Sequence, residues 1–264
     1  MTFYKLGVLG YPLGHSLSPA LHQYFLKQTN LSGSYDRFEI SPEQFSDWVS
    51  SIADLGLTGF NVTIPHKISI LPYLKEVSEA AQLIGAVNTV TVKLDGLYGD
   101  NTDAGGFTAP LSEEQRQKFQ GGHALILGTG GASHAVAYAL KKMGLKTITV
   151  CSRRSGPALS PALLSDVICL VNATPVGMSP DIDQSPVSVE LLKALPRDAL
   201  VYDLIYNPIQ TCLLKQASDL NLAVQDGLSM LIAQGAFAFE LWTQKHINLD
   251  VIKDVKKLFN LERD

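Results

Sequence analysis

The stretch HALILGTGGASHAVAYALKKMG (123–144) limits the possible folds more than any other. It opens on an apolar run, HALILG, with the character of a buried strand. A glycine-rich turn follows, GTGGAS (128–133), and leads into a helical pattern that stops at Gly144. A buried strand that turns at once into a helix calls for a further strand beside it, because the helix must pack back on a sheet. The chain supplies such strands in KTITVCS (146–152), DVICLVNAT (166–174), ALVYDLIY (199–206) and LAVQDG (222–227).

The first hundred residues repeat the alternation. KLGVLG (5–10), SYDRFEI (34–40) and GLTGFNVT (56–63) read as strands. SLSPALHQYFLKQ (16–28) reads as a helix with Ser18 as N-cap and Pro19 at the first helical position. SPEQFSDWVSSI (41–52) and VSEAAQLIGA (77–86) read as further helices, and VNTVTVKLDGLYGDN (87–101) as a hairpin turning at Asp95-Gly96. FTAPLSEEQRQKFQ (107–120) is a helical bridge between the halves, and two helical patterns, 229–246 and 250–260, close the chain. The expected fold class is α/β in two domains: residues 1–104, with 235–264 packing back on them, and 105–234.

At 264 residues the length suits two domains. With 46% hydrophobic and 17% charged residues the chain is globular, and no apolar run is long enough to span a membrane. The first ten residues lack the features of a signal peptide. Cys151, Cys169 and Cys212 form no CxxC, which fits a reducing, cytoplasmic setting and no cysteine metal cage. The six histidines show no metal-ligand spacing; His15 and His22 fall seven apart and read as surface or core residues. A net charge of −4 offers no basic face to nucleic acid.

Taken by itself, GTGGAS is a weak signal, since many tight turns are glycine-rich for packing alone. Its context, after a strand and before a helix, makes it a variant of the Rossmann dinucleotide fingerprint. Some twenty residues on, an NAD enzyme places an acid for the ribose hydroxyls; here stand Ser152, Arg153 and Arg154. Two arginines at a strand end are ordinarily solvated. After this turn they are suited to a 2′-phosphate, so the expected cofactor is NADP(H).

Eight motifs, in order along nearly the whole chain, resemble the shikimate dehydrogenase family: SLS (16–18), NVTIPHK (61–67), GAVNT (85–89), GDNTDAGG (99–106), GTGGAS (128–133), NATPVGM (172–178), VYDLIYNP (201–208) and DGLSMLIAQGAFAFELW (226–242). The resemblance implies reversible, NADPH-dependent reduction of 3-dehydroshikimate to shikimate in aromatic amino-acid biosynthesis. It implies an N-terminal open α/β substrate domain, a C-terminal Rossmann-like NADP domain, and terminal helices that return to the first domain. Lys67 and Asp103 match the catalytic pair. Ser16, Ser18, Asn61, Thr63, Asn88, Tyr206 and Gln234 match or flank the substrate positions. Glu79, Gly128, Thr129, Gly130, Gly131, Ala132, Ser152, Arg153, Arg154, Thr174, Leu204, Gly227 and Met230 match the cofactor positions. The implied partner is a small molecule, the implied state a monomer or homodimer.

The chemistry suits these residue types. A polyhydroxylated carboxylate offers little apolar surface, so short donors and acceptors at fixed angles must hold it, and they discriminate well because a missing partner leaves a buried polar group unpaired. Hydride addition to a ketone builds negative charge on oxygen, and a lysine paired with an aspartate can supply the proton. Alone, Lys67 would read as a solvated surface charge, and Asp103 as a first-turn or capping acid. Two departures from the family stand out. Only SGPALSPALLS (155–165) separates the arginines from the next strand, room for one helical turn, so the cofactor domain should lack about one βα unit. Ser152-Arg153-Arg154 replaces the common Asn-Arg-Thr. The alternatives are a quinate/shikimate dehydrogenase of broader specificity and a non-catalytic NADP-binding relative.

Overall fold

The structure, a computed structural model, describes residues 2–14, 16–152 and 154–261, the last four of these without their side chains. The chain forms two compact units, Met1–Gly105 with Ile232–Asp264, and Gly106–Leu231.

The first unit is built on a six-stranded mixed sheet, ordered β2-β1-β3-β5-β6-β4. The strands are β1 (Phe3–Gly10), β2 (Ser32–Glu39), β3 (Gly59–Val62), β4 (Glu76–Val77), β5 (Thr89–Lys93) and β6 (Gly96–Asp100). β1 runs parallel to both β2 and β3, and β5 is antiparallel to β3 and β6. The connecting helices are α1 (Ser18–Gln28), α2 (Phe45–Ser50), α3 (Ile52–Leu55), α4 (Glu79–Ile84) and α5 (Asp103–Thr108). One cluster packs Phe45, Val49 and Ile52 with Leu9, Phe60, Val62 and Val90 from β1, β3 and β5. Each such side chain, fully buried, contributes roughly 1.5–3 kcal/mol.

A second aromatic group joins Phe25 of α1 and Phe239, whose rings meet edge to face at 5.7 Å. Trp242 lies over Gly59 of β3, where an added Cβ would stand 2.3 Å from the indole ring. Its Nε1 donates to the Val90 carbonyl at 2.9 Å. Glycine at 59 is therefore required by the close approach of the indole.

The second unit holds a parallel five-stranded sheet, ordered β11-β10-β9-β7-β8. Its strands are β7 (His123–Leu127), β8 (Thr147–Cys151), β9 (Val167–Asn172), β10 (Leu200–Asp203) and β11 (Ala223–Gln225). α6 (Glu113–Phe119) precedes them, and between them run α7 (Gly131–Lys142), α8 (Pro161–Leu164), α9 (Val189–Leu192) and α10 (Cys212–Asp219). Then follow α11 (Gly227–Thr243), which begins in the second unit and continues into the first, and α12 (Val251–Leu261), which belongs to the first. β7, β9 and β10 are almost fully buried, as their continuous apolar runs require in a parallel sheet covered on both faces, whereas β8 is mostly half-buried. No helix among the described residues is long and apolar enough to cross a membrane.

The short link after the arginines is as expected. It forms only the single turn of α8, and β8 is the edge strand. The link also folds back on that edge. Ser152 N–H donates to the Ser155 carbonyl at 2.7 Å, the Cys151 thiol donates to the Pro157 carbonyl at 3.3 Å, and Gly156 lies against the Val150 carbonyl.

Three local expectations need correction. Ser18 is the first residue of α1, not its N-cap; Leu17 takes that place in αR geometry without a side-chain cap, which puts Pro19 at the second helical position. The helix expected from 41 starts at Phe45, because residues 41–44 form a turn closed by Gln44 N–H to the Ser41 carbonyl. The bridge at 107–120 is broken into α5 and α6. Ser112 caps α6 in a capping box with Gln115, so the helix restarts there.

Candidate active site

Lys67 and Asp103 come together from opposite ends of local structure. β3 ends at Val62, and the segment after it is tied down where the Lys67 carbonyl accepts from Val87 N–H at 2.8 Å. Asp103 opens α5, where a carboxylate is favoured by the helix N-terminus. Its own N–H donates to Asn101 Oδ1 at 3.0 Å, and Asn101 Nδ2 donates to the Ala86 carbonyl at 2.9 Å. Lys67 Nζ donates to Asp103 Oδ2 at 2.5 Å. The lysine side chain is 14% exposed and the aspartate 7%, so the pair is largely withdrawn from water while still reachable.

Asn88 fixes the carboxylate. Its Oδ1 accepts from Thr102 N–H at 2.7 Å, which orients the amide. Its Nδ2 then donates to Asp103 Oδ1 at 2.8 Å and stands 3.2 Å from Gln234 Oε1. One carboxylate oxygen is held by Asn88, and the other is left to the lysine. Asn61 lies behind this group, buried, with Oδ1 accepting from Tyr35 Oη at 2.7 Å and Nδ2 within 3.3 Å of both the Asn88 carbonyl and Thr89 Oγ1.

The structure thus joins Lys67, Asp103, Asn88, Gln234 and Asn61 in one hydrogen-bonded net. Ser16 and Ser18 stand at the start of α1, where Ser18 N–H lies 3.4 Å from Ser16 Oγ and the Ser16 carbonyl accepts from the Arg37 guanidinium at 2.8 Å. Thr63 follows β3, half-buried. Tyr206 belongs to the second unit. Sequence reasoning passed over Thr89, Asn101 and Thr102, although all three lie inside quoted motifs. It also passed over Tyr35, which carries no local signal.

Beneath Tyr35, the His22 ring stacks on the phenol at 4.2 Å and 4°. His22 is fully buried, and neither ring nitrogen finds a hydrogen-bond partner. Burial pushes its pKa down to about 3, and the nearby Asn61 side chain offsets only part of that. It is a core histidine, while His15 lies outside the described residues. Among the described residues no group of three His, Cys, Asp or Glu is placed to hold a metal.

In the second unit the strand order reverses direction between β7 and β9, and in such sheets ligands bind beyond the carboxyl ends at that point. Gly128, at φ +111, turns the chain out of β7, and a Cβ there would meet the Ala173 carbonyl at 2.8 Å. Gly130 is the N-cap of α7 with no side chain to satisfy the first N–H groups, and the space a Cβ would enter is open. Thr129, Gly131 and Ala132 complete this turn. Uncapped helix N–H groups beside open space fit a pyrophosphate. Thr174, Leu204, Gly227 and Met230 all follow carboxyl ends of neighbouring strands. Ser152 follows β8, where its Oγ accepts from Ser155 N–H at 3.0 Å and from Arg154 N–H at 3.2 Å. Arg154 is exposed, and Arg153 lies outside the described residues. Glu79 is the one candidate cofactor residue in the first unit, where it is a first-turn acid of α4.

A parallel sheet with an open glycine turn at its switch point suits a dinucleotide, and a second sheet carries a largely buried lysine–aspartate pair able to exchange a proton; together they point to the class of dinucleotide-dependent oxidoreductases. Comparison with known proteins narrows the class. Residues 8–90 match the model of the shikimate dehydrogenase substrate binding domain, and residues 227–255 that of the shikimate 5′-dehydrogenase C-terminal domain. The NADP(+) shikimate dehydrogenases of Microcystis aeruginosa and a Synechocystis strain are each 39% identical, covering 94% of both chains in the first case and 98% of this chain and 96% of the other in the second. The crystal structure of Thermus thermophilus shikimate 5-dehydrogenase in complex with NADP(H) and shikimate is 36% identical. It has a TM-score of 0.83 and covers 95% of this chain and 97% of the other. The chain belongs to the shikimate dehydrogenase family.

Proposed function

We propose that the chain reduces 3-dehydroshikimate to shikimate reversibly, with Lys67 and Asp103 as the catalytic pair of the first unit and the carboxyl edge of the second unit as the NADP(H) site. The observation that carries the reading is the 2.5 Å contact between Lys67 Nζ and an Asp103 carboxylate whose other oxygen is already held by Asn88. When bound, NADPH supplies the hydride to the carbonyl carbon. Lys67 Nζ gives its proton to the oxygen as negative charge develops there, and takes it back from the hydroxyl in the reverse direction. Asp103 Oδ2 keeps the ammonium in place, and the 14% exposure of the lysine side chain lets water restore the proton.

Ser16, Ser18, Thr63, Asn88, Gln234 and Tyr206 are the proposed substrate ligands, short polar groups that suit hydroxyls and a carboxylate. Asn61, whose amide is bonded at both ends within the protein, supports Asn88. Gly128 to Ala132 would hold the pyrophosphate, and Ser152, Arg153 and Arg154 the 2′-phosphate. Thr174, Leu204, Gly227, Met230 and Glu79 complete the proposed cofactor set. The three cysteines are free thiols, which suits the cytoplasm, where we place the enzyme as a monomer or homodimer.

The test is oxidation of shikimate by NADP⁺, followed at the reduced-nicotinamide band, with quinate assayed beside it. Turnover of shikimate well above quinate is expected. No turnover of either at saturating coenzyme would sink the reading, and equal turnover would replace it with a broader-specificity enzyme.

A further inference from the structure

Asp203 is fully buried at the carboxyl end of β10, lies outside the candidate site set, and has no part in the proposed chemistry. It pairs in register with Asn172, the last residue of β9. Three donors converge on its carboxylate. Asn172 Nδ2 donates to Oδ1 at 3.0 Å, Ile205 N–H to Oδ1 at 3.1 Å, and Thr211 Oγ1 to Oδ2 at 2.7 Å. The threonine proton is committed to this bond, because its oxygen already accepts from Leu214 N–H as the cap of α10.

Two of these donors, Asn172 and Ile205, act on the segments that border the proposed cofactor crevice. With its Nδ2 drawn to Asp203, Asn172 turns Oδ1 toward Thr174, where it accepts from both N–H, at 3.0 Å, and Oγ1, at 2.7 Å. Ala173 and Thr174 are the wall on which Gly128 rests. Ile205 N–H fixes the peptide after Leu204, and the Ile205 carbonyl accepts from Gly227 N–H at 3.2 Å. Gly227 lies so close that a Cβ would stand 2.2 Å from the Leu204 carbonyl oxygen. One carboxylate therefore ties together the segments carrying Thr174, Leu204, Gly128 and Gly227.

We infer that Asp203 is a positioning residue for the dinucleotide, a buried anchor that sets the loops after β9 and β10 in the places the cofactor requires. The inference rests on the reading of this edge as the NADP(H) site. A carboxylate suits the post because it only accepts, and all three neighbours present protons. Its burial pushes the pKa up to about 6 against the pull of those three donors, so the anchor is ionised at neutral pH and is most effective there.

The experiment is steady-state kinetics with NADP⁺ and shikimate varied in turn, on the whole chain, with NADP⁺ binding measured by calorimetry. Asp203→Ala leaves three donors unpaired and should raise the NADP⁺ KM and Kd by about tenfold or more, with the shikimate KM within about twofold. Asp203→Asn keeps an acceptor for Asn172 and Ile205 and should recover most of that loss, which simple damage to the fold would not. Thr211→Val removes one donor at constant shape and should raise the NADP⁺ KM by about threefold; it decides the matter if Asp203→Ala does not fold. Unchanged NADP⁺ affinity in Thr211→Val, or in a folded Asp203→Ala, overturns the inference. Absence of turnover in the unaltered chain would instead overturn the function proposed above, so the two failures are distinct.

Discussion

His22 offers a sharp test, because its charge state is set by position alone. In the folded chain burial holds its pKa at about 3, against an ordinary value of 6.5. The unfolded chain therefore takes up the proton first as pH falls. The stability tied to the neutral ring is fully present above pH 6.5 and is lost progressively as pH drops from there toward 3. Between pH 7 and pH 5 the loss is roughly 2 kcal/mol. His22→Leu removes the two unpartnered nitrogens at similar volume. Near neutrality it should change little, since the lost stack on Tyr35, about 1 kcal/mol, offsets the relief of an unsatisfied buried polar group.

The assay is urea unfolding at both pH values, read by tryptophan fluorescence. Both tryptophans, Trp48 and Trp242, lie in the first unit with His22, so the probe reports on the correct core. With a slope of about 2 kcal/mol per molar urea, the wild-type midpoint should fall by about 1 M more than that of the variant. Asp203 works in the opposite direction. Its raised pKa makes acidification from 6 toward 3.8 stabilising, but it sits in the second unit and is the same in both proteins. Midpoints that shift in parallel with pH would refute the neutral, buried histidine.

Lys67→Ala should lower kcat by roughly 10²–10⁴ with the shikimate KM within a few-fold; a variant that keeps most of its turnover would remove Lys67 from the proton transfer. Replacing NADP⁺ by NAD⁺ should lower kcat/KM by at least about tenfold, and equal rates would refute a 2′-phosphate site at Arg153 and Arg154. Gly227→Ala places a methyl 2.2 Å from the Leu204 carbonyl oxygen, a backbone atom that cannot step aside. A destabilisation of about 2 kcal/mol in thermal melts is expected together with a raised NADP⁺ KM, and an unchanged melt would show that the loop is slack.

The parallel strands were legible in the sequence because strands covered on both faces read as unbroken apolar runs, and β7, β9 and β10 do so. The trimmed edge was legible from spacing, since eleven residues between Ser155 and Ser165 leave no room for a further helix and strand. Other features were hidden for stated reasons. The break between α5 and α6 was signalled by the Ser112–Gln115 capping box, which amphipathic patterning masks. The Tyr35–Asn61 and Asn172–Asp203 bonds join residues 26 and 31 apart, and only sheet order brings them into register. Glu79 and Ser18 show the limit of reading by type. A first-turn acid and a serine before proline have the same local pattern whether they serve the helix or a ligand.

The indole of Trp242, seated over Gly59, has a consequence for the order in which the protein is made. The second unit is one continuous stretch, whereas the first needs both Met1–Gly105 and Ile232–Asp264. Domains ordinarily fold as they leave the ribosome, the earlier before the later. Here the second unit has its whole sequence in hand while β3 and β5 still lack the ring that covers them. Until the end of α11 emerges, the face that Phe239 and Trp242 cover in the finished fold has nothing of its own chain to pack against.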